Sequence, residues 1–498
     1  MTTLSHAPGL KLGPVSLAAA WPWQALTVAL LAAALALGLA TSVPDVTWLL
    51  YAGEKMLRGQ RLYVDVLEVN PPLAVLAYLP AVQIGRLLGV QPEMAVVPLV
   101  VLGAAASMAL SSVVLRPLLE PDPARGWKLA AAAAFVLGVL PMAAFGQREH
   151  IAVICLAPFL CVCVLRAAGR EPPRLAALAA GLGLGLAVCL KPQLAAAAAL
   201  PALWALGRGG RRRPWIQLEL WAGAFVVVAY AALIVLVFPA YLTDIMPVAR
   251  DAYLPIRAPW WQLLILPAVP LALAAVFVAR LMKLEARWLG APLMAMAGGA
   301  LAFLAQGKGW PYHAYPMLAF AALGLLGAAA MTPPAHARAW TWIDRAMLLA
   351  APLAAAVWLS ANVDSAAVTR QVAALGPAPR LIAVTGNLGV GLPVARAVDA
   401  DWIGSECSEW ISDGVLRLEE AGPLTPVRRA RLESLMAAER SRLSRDIVRG
   451  RPEVVLFDRK RFDWRAWALK DPDIAAALKG YRLAAVVKGI EVWARPGR

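Results

Sequence analysis

PDVTWLLYAGEKMLRGQRLYVDVLEVNPPL, the segment from Pro44 to Leu73, follows the first long apolar run of the chain directly. Its charged residues are Asp45, Glu54, Lys55, Arg58, Arg61, Asp65 and Glu68. Polar loops longer than about a dozen residues are commonly functional or disordered. The aromatic and aliphatic side chains of this segment argue against disorder. We therefore expect an ordered active-site loop that lies on a membrane surface.

The composition is that of a membrane protein. The 498 residues are 61% hydrophobic and 16% charged, with a mean hydropathy of +0.65, whereas about a quarter of the residues of a soluble protein are charged. The net charge of +16 is explained by Arg in short loops between apolar runs, where it sets orientation and contacts anionic lipids. No nucleic-acid-binding motif is visible, so we expect membrane lipids and not nucleic acid as partners.

Apolar runs predict about eleven membrane spans. They lie at about 23–43, 95–115, 128–145, 151–167, 175–190, 193–207, 216–239, 262–281, 288–305, 314–331 and 346–361. Basic loops, including Arg211 to Arg213, should be cytoplasmic. The alternation is correct only if residues 73–89 do not cross, which predicts an interfacial or re-entrant helix there. The N-terminus is then inside and the C-terminus outside.

The chain divides into two parts by composition. Residues 1–365 form the predicted membrane domain, with an outer-face platform at 44–94. Residues 370–498 read as a small extracytoplasmic α/β domain, a normal domain size. Two apolar strands (RLIAVTG and PEVVLFD), an amphipathic helix at RRARLESLMAAERSRLSRDIV and a terminal hairpin turning at Lys488 and Gly489 support this reading.

The acidic residues of the platform are the first candidates for chemistry. A carboxylate at the rim of a partly dry cavity can take a proton from an attacking hydroxyl, which is a role for Asp45. Its alternative role is that of a helix-end residue at the interface. Asp65 and Glu68 would share a face if helical, and they could bind a sugar, a cation or a neighbouring Arg.

Three further polar clusters interrupt apolar runs on the same predicted face. Arg148, Glu149 and His150 stand together at a span boundary, where Arg148 could hold a phosphate or form a local ion pair. Lys191 lies where Pro192 breaks a helix, and an ionisable group in such a place is a functional candidate. Lys308 lies between two glycines that would let a phosphate approach, and His313 is either a ligand or an aromatic-belt residue.

The sequence assigns no cofactor, and a divalent cation stays an alternative. His6, His150, His313 and His336 have no metal-ligand spacing, so no metal-binding residue is predicted. Four of the five cysteines lie in apolar runs, where Cys behaves as a small hydrophobe.

Several of these motifs, in this order, resemble the GT-C superfamily of polytopic glycosyltransferases. Asp45 follows the first span, and GQRLYVDVLEVNPPL (59–73) is similar to the family's Gly-x-x-x-Tyr-x-Asp and Glu-x-x-Pro-Pro-Leu pattern. GQREH (146–150), KPQ (191–193) and GKGWPYH (307–313) add to the likeness. The branch it resembles includes protein O-mannosyltransferase-like and lipid A aminoarabinose transferase-like enzymes.

The resemblance implies transfer of a sugar from a polyprenyl-phosphate donor to a glycan, lipid or protein hydroxyl at the outer face of a bacterial inner membrane. The enzyme would be a hexosyl- or pentosyltransferase of cell-envelope glycan synthesis, with Asp45 as general base and a periplasmic C-terminal domain. The predicted substrate- and phosphate-binding residues are Arg58, Tyr63, Asp65, Glu68, Asn70, Arg148, Glu149, His150, Lys191, Lys308 and His313. Some relatives carry Lys where this chain has Asn70, so another cation must hold the phosphate.

Two other functions fit parts of the pattern. A transporter or flippase of a lipid-linked or anionic substrate would explain Lys191 at a broken helix. Transporters commonly contain two related halves, and no internal repeat is apparent in this chain. A membrane scaffold that presents the C-terminal domain would not need polar residues to converge from several loops.

Overall fold

The structure is a computed structural model that describes residues 20–120, 122–208, 217–362 and 364–497. Its membrane part is a bundle of helices: α1 (Trp21–Ala40), α2 (Pro44–Leu57), α3 (Leu73–Leu76), α4 (Leu79–Leu88), α5 (Glu93–Leu119), α6 (Pro123–Ala134), α7 (Arg148–Ala167), α8 (Arg174–Leu190), α9 (Ala195–Arg208), α10 (Leu218–Val237), α11 (Trp260–Ile265), α12 (Ala268–Leu281), α13 (Ala286–Gln306), α14 (Pro311–Met331), α15 (Pro334–Arg338) and α16 (Trp342–Leu359). Short π turns at Phe135–Val139, Tyr241–Ile245 and Ala249–Tyr253, and 3₁₀ turns at Met142–Ala144 and Pro192–Leu194, lie between them.

The predicted multi-pass architecture is confirmed. Among the described residues, seven helices are long and apolar enough to cross a membrane, namely α1, α5, α7, α10, α13, α14 and α16. The other four predicted spans coincide with α6 and its π turn, α8, α9, and α11 with α12. The predicted non-crossing stretch 73–89 forms the two short helices α3 and α4. Its placement at the interface stays a prediction.

The platform differs from the expected loop, because its first half is the regular helix α2. Pro44 occupies the first helical position, where its missing N–H costs nothing, and Asp45 lies in the first turn. Trp48 to Gly53 are buried, so α2 is a packed element and not a surface loop. The second half turns tightly at Tyr63, whose φ is +70°, and Asp65 and Glu68 share no helical face.

The predicted α/β domain is present and holds a five-stranded sheet. Its elements are α17 (Ala366–Ala373), β1 (Arg380–Val384), α18 (Leu392–Ala397), β2 (Asp401–Trp402), α19 (Trp410–Ala421), α20 (Pro426–Gly450), β3 (Val454–Asp458), α21 (Trp464–Ala468), α22 (Pro472–Ala477), β4 (Arg482–Val487) and β5 (Ile490–Ala494). The strand order is β2-β1-β3-β5-β4. The first three strands are parallel and the terminal hairpin is antiparallel. The sequence predicted β1, β3, the hairpin and α20, but not β2 or α19.

This domain packs on the platform through α18 and the turn after β2. Arg396 of α18 pairs with Glu54 of α2 at 2.8 Å and with Glu93 of α5 at 2.9 Å. The Leu67 amide donates to the Ser405 carbonyl at 2.9 Å. The platform and the C-terminal domain are therefore packed against each other, with contacts at the end of α2 and in the segment that follows it.

Three predictions fall on residues outside the described ranges. They are the inside position of the N-terminus, the basic loop with Arg211 to Arg213, and the spacing of His6.

Candidate functional site

Asp45 is half-buried and lies in a cluster of otherwise buried charged side chains that come from four separate parts of the chain. Burial raises the pKa of Asp45 to about 6, and its charged neighbours are Arg148, Glu149, Lys191 and Glu68. Arg148 and Glu149 open α7, Lys191 follows α8, and Glu68 belongs to the platform. The structure thus brings together the clusters that the sequence predicted on one face.

The turn before α7 is fixed by His150. The Gly146 amide donates to His150 Nδ1 at 2.9 Å, so Nε2 carries the proton and donates to the Leu137 carbonyl at 2.7 Å. The Tyr78 hydroxyl donates to the Gly146 carbonyl at 2.7 Å. Both ring nitrogens of His150 therefore form hydrogen bonds with the backbone. The side chain has no nitrogen left for a ligand, and its role is to fix the turn that positions Arg148 and Glu149.

Lys191 is placed by a break between two helices. Pro192 restricts the preceding residue to extended geometry, and Lys191 has φ −143° and ψ 90° between α8 and the 3₁₀ turn. Its Nζ lies 2.5 Å from Glu149 Oε1, and His313 Nε2 lies 3.7 Å from the same oxygen. Glu149 is only 1% exposed. The positive charge of Lys191 is thus already matched by a buried carboxylate.

Arg148 has no such partner. It is 5% exposed, and its guanidinium takes part in none of the hydrogen bonds or ion pairs of 4 Å or less among the described residues. It interacts electrostatically with Glu149, Glu68, Asp45 and Tyr312 over longer distances. Of the predicted phosphate-binding cations, Arg148 is the one in the cluster whose hydrogen-bonding groups are not used within the described part of the protein.

Glu68 and Asn70 hold the platform in shape. Trp48 Nε1 donates to Glu68 Oε2 at 2.5 Å, and the Asn70 amide donates to Glu68 Oε1 at 2.7 Å. The Tyr63 hydroxyl donates to the Asn70 carbonyl at 2.7 Å, and its ring packs 5.1 Å from that of Tyr241. Of these predicted residues, Glu68 is an electrostatic neighbour of Asp45, and the hydrogen bonds described here join Glu68, Asn70 and Tyr63 to the platform itself.

Lys308 lies at the edge of the cluster. Gly307 and Gly309 both adopt positive φ, +67° and +69°, a conformation that favours glycine. The Lys308 Nζ donates to the Tyr253 carbonyl at 2.5 Å and lies 4.1 Å from the centre of the Tyr253 ring. Burial lowers the pKa of Lys308 to about 8. This lysine is therefore committed to holding the loop around Tyr253.

The structure does not bring Arg58 and Asp65 to the cluster. Asp65 pairs with Arg61 at 3.1 Å on the surface. Arg58 lies beyond the last turn of α2, 4.0 Å from Asp401, and both are largely exposed. One helix cannot direct residues at both its ends to the same place, which is why Asp45 and Arg58 separate.

Several side chains near Asp45 were not predicted. Cys407 of the C-terminal domain interacts electrostatically with Asp45 and Glu68, and burial raises the pKa of its thiol well above the usual range. Trp410 packs edge-on against Tyr253 at 6.0 Å. Buried side-chain atoms of the cluster without a hydrogen-bond partner in the described ranges include Gln147 Oε1, His313 Nδ1 and, its ion pair with Lys191 aside, both carboxylate oxygens of Glu149. The described residues contain no group of three His, Cys, Asp or Glu that could hold a metal ion.

The pair of Glu149 and Lys191 allows a direct test of how the cluster is held together. Glu149→Gln and Lys191→Met each leave one buried charge unpaired, which costs about 3–5 kcal/mol for a buried pair. The double variant removes both charges, so we expect its unfolding temperature in detergent to be close to that of the wild type. The exposed pair of Arg61 and Asp65 is the control, where each change costs at most about 1 kcal/mol. Additive losses in the Glu149 and Lys191 variants would contradict the pairing.

No protein-family model and no curated protein sequence matches the chain. Two crystal structures of ArnT from Cupriavidus metallidurans do match in fold, one in the apo state and one bound to undecaprenyl phosphate. Each has a TM-score of 0.52 and 13% sequence identity, covering 95% of this chain and 98% of ArnT. The chain therefore has the fold of these ArnT structures, a multi-pass membrane bundle with a small C-terminal α/β domain, as the sequence predicted.

Proposed function

We propose that this protein is a glycosyltransferase that moves a sugar from a polyprenyl-phosphate donor to an acceptor hydroxyl. The observation that carries the proposal is the placement of Asp45 in one buried cluster with the unpaired Arg148. The fold adds support, since an ArnT of the same fold was crystallised with undecaprenyl phosphate. A carboxylate that can take a proton and a cation that can receive a phosphate are the two groups that this reaction requires.

The reaction follows from the positions of these groups. Asp45 takes the proton of the acceptor hydroxyl, whose oxygen then attacks the sugar carbon bonded to the donor phosphate. That carbon–oxygen bond breaks, and the lipid phosphate leaves with the electron pair. Arg148 stabilises the charge that develops on the phosphate, because a guanidinium binds two phosphate oxygens at once. Gln147 Oε1 and His313 Nδ1 accept hydrogen bonds from sugar hydroxyls.

The proposal places the reaction at the outer face of a bacterial inner membrane, with the C-terminal domain in the periplasm. The support is the distribution of charge along the sequence, since the basic short loops predict the cytoplasmic side and the Asp45 cluster lies on the opposite predicted face. The acceptor is a hydroxyl of a glycan, lipid or protein. The donor sugar is a hexose or a pentose.

Asp45→Asn is expected to abolish transfer without loss of the fold. Removing a general base lowers the rate by about a hundred- to ten-thousand-fold. Because burial raises the pKa of Asp45, its ionised form destabilises the folded state at neutral pH, so the variant should unfold at an equal or higher temperature. The assay uses proteoliposomes with radiolabelled polyprenyl-phosphate sugars and a membrane extract. Equal transfer by the wild type and the variant would show that Asp45 is not the base. Movement of the donor across the bilayer without sugar transfer would favour a transporter.

The activity of the wild type should fall at low pH. Asp45 acts as a base only when it is deprotonated, and its pKa is about 6. We expect kcat/KM to be constant above that pH and to fall about tenfold for each further unit below it. The measurement is the initial transfer rate against pH at an acceptor concentration well below KM, where the rate is proportional to kcat/KM, with unfolding followed in parallel. A profile that stays flat down to the ordinary range of Asp, around pH 4, would contradict the assignment.

Arg148→Gln is expected to lower kcat/KM about 100- to 1,000-fold, because it removes the group that stabilises the leaving phosphate. Arg148→Lys should recover only part of this loss, since it keeps the charge but not the planar pair of donors. Arg61→Gln, which removes an exposed cation from the platform and not from the cluster, is the control. A loss in Arg61→Gln equal to that in Arg148→Gln would show that only the overall charge matters.

A further inference from the structure

A cavity lies between the end of α2 and the C-terminal domain. Its volume is about 240 Å³, and its wall includes Lys55, Arg58, Arg396, Asp401 and Trp402. Lys55 is ten residues beyond Asp45 on the same helix, which separates them by about 15 Å along its axis. The cavity is therefore distinct from the cluster around Asp45.

Two of the three acidic side chains that line the cavity, Glu54 and Asp399, have partners other than Lys55 and Arg58. Glu54 is paired with Arg396 at 2.8 Å, and Arg396 is in turn paired with Glu93 at 2.9 Å. Asp399 accepts a hydrogen bond from the side-chain amide of Gln91 at 2.6 Å. These contacts also tie α18 to α2 and α5, so the carboxylates serve the docking of the C-terminal domain.

Asp446 is likewise committed. It attracts Lys55 electrostatically, but its carboxylate accepts from the amide and the hydroxyl of Ser405 at 2.7 and 2.8 Å. No oxygen of Asp446 lies within 4 Å of the Lys55 ammonium. The negative charge of Asp446 therefore partly offsets the free-energy cost of burying the Lys55 ammonium, but Asp446 does not accept a hydrogen bond from it.

Lys55 and Arg58 are the cations of the cavity whose donors are not used. Lys55 is 9% exposed, and its ammonium has no hydrogen bond or ion pair with any residue that the structure describes. Burial lowers the pKa of Lys55, as it does for an ammonium that lacks a partner. Arg58 has only the exposed Asp401 at 4.0 Å. An ammonium has three donors and no acceptor, so the missing partner is an acceptor.

We propose that this cavity binds an anion, a phosphate or carboxylate group held between Lys55 and Arg58. Residues three apart on a helix lie on the same face, so one group can contact both cations. Oxygens with negative charge form stronger hydrogen bonds to such donors than neutral ones do.

The anion has two sources, a free small molecule or a lipid headgroup. The end of α4 lies against the end of α2, where Arg86 donates to the Leu57 carbonyl at 3.5 Å. Leu87 and Leu88 beside it are 83% and 69% exposed, as expected of side chains in contact with lipid. An anionic headgroup can therefore reach the cavity from the membrane.

The test measures binding and needs no transfer reaction, so it is independent of the proposed function. Because a phosphate could also bind Arg148, the protein carries Arg148→Gln throughout. In one arm, inorganic phosphate is titrated in neutral detergent at an ionic strength matched with chloride, and thermal unfolding is followed. In the other, nanodiscs of phosphatidylcholine with or without phosphatidylglycerol are used, and the retained lipid is counted by native mass spectrometry.

We expect binding in at least one arm, and weakening by about ten- to a hundredfold on Lys55→Met, since hydrogen bonds to charged groups contribute 1.5–3 kcal/mol. Arg58→Gln should weaken binding as well. Because Arg58 is exposed, this variant should fold normally and provides the test if Lys55→Met fails to fold. Arg61→Gln is the matched control and should bind as before. Binding of phosphate assigns a free anion, and retention of phosphatidylglycerol alone assigns a headgroup. No binding in either arm, unchanged binding in both cavity variants, or equal loss in Arg61→Gln would overturn the proposal.

Discussion

The buried contact between Lys191 and Glu149 is the constraint on which the site depends. An unpaired charge in a dry interior is costly, whereas a paired one is tolerated when its geometry is good. Lys191 is available for this contact only because Pro192 ends α8 and leaves the residue before it extended. The pairing holds the break between two helices against the start of α7, and Arg148 is next to Glu149 in the chain. One ion pair thus fixes the position of the cation that faces Asp45.

The three cations near Asp45 differ in whether the protein supplies them with a partner. Lys191 is matched by Glu149, and Lys308 is held by the Tyr253 carbonyl. Arg148 alone among these three has donors that no described residue takes up. A cation without a protein partner in a buried place is the one that a leaving phosphate can engage, because no existing hydrogen bond has to be broken first.

The C-terminal domain is part of the site and not an appendage. Arg396 reaches Glu54 across 342 positions of the sequence, and Ser405 accepts a hydrogen bond from the platform at Leu67. The same turn brings Cys407 into the electrostatic surroundings of Asp45. The domain also forms one wall of the cavity that lies between Lys55 of α2 and Trp402 of β2.

The sequence by itself determined the membrane character, the apolar helices, the α/β nature of the C-terminal part and the candidate Asp45. Each of these rests on a local property, such as the length of an apolar run, a period of burial or a proline beside an acid. Only the tertiary structure decided that α2 is buried, that His150 serves the backbone, and that Arg58 and Asp65 lie apart from the cluster. These outcomes depend on which distant groups meet, as Lys191 meets Glu149, and a single sequence carries no record of such contacts. The local sequence pattern therefore identified most of the candidate residues, but their separate roles follow from the packing of the folded chain.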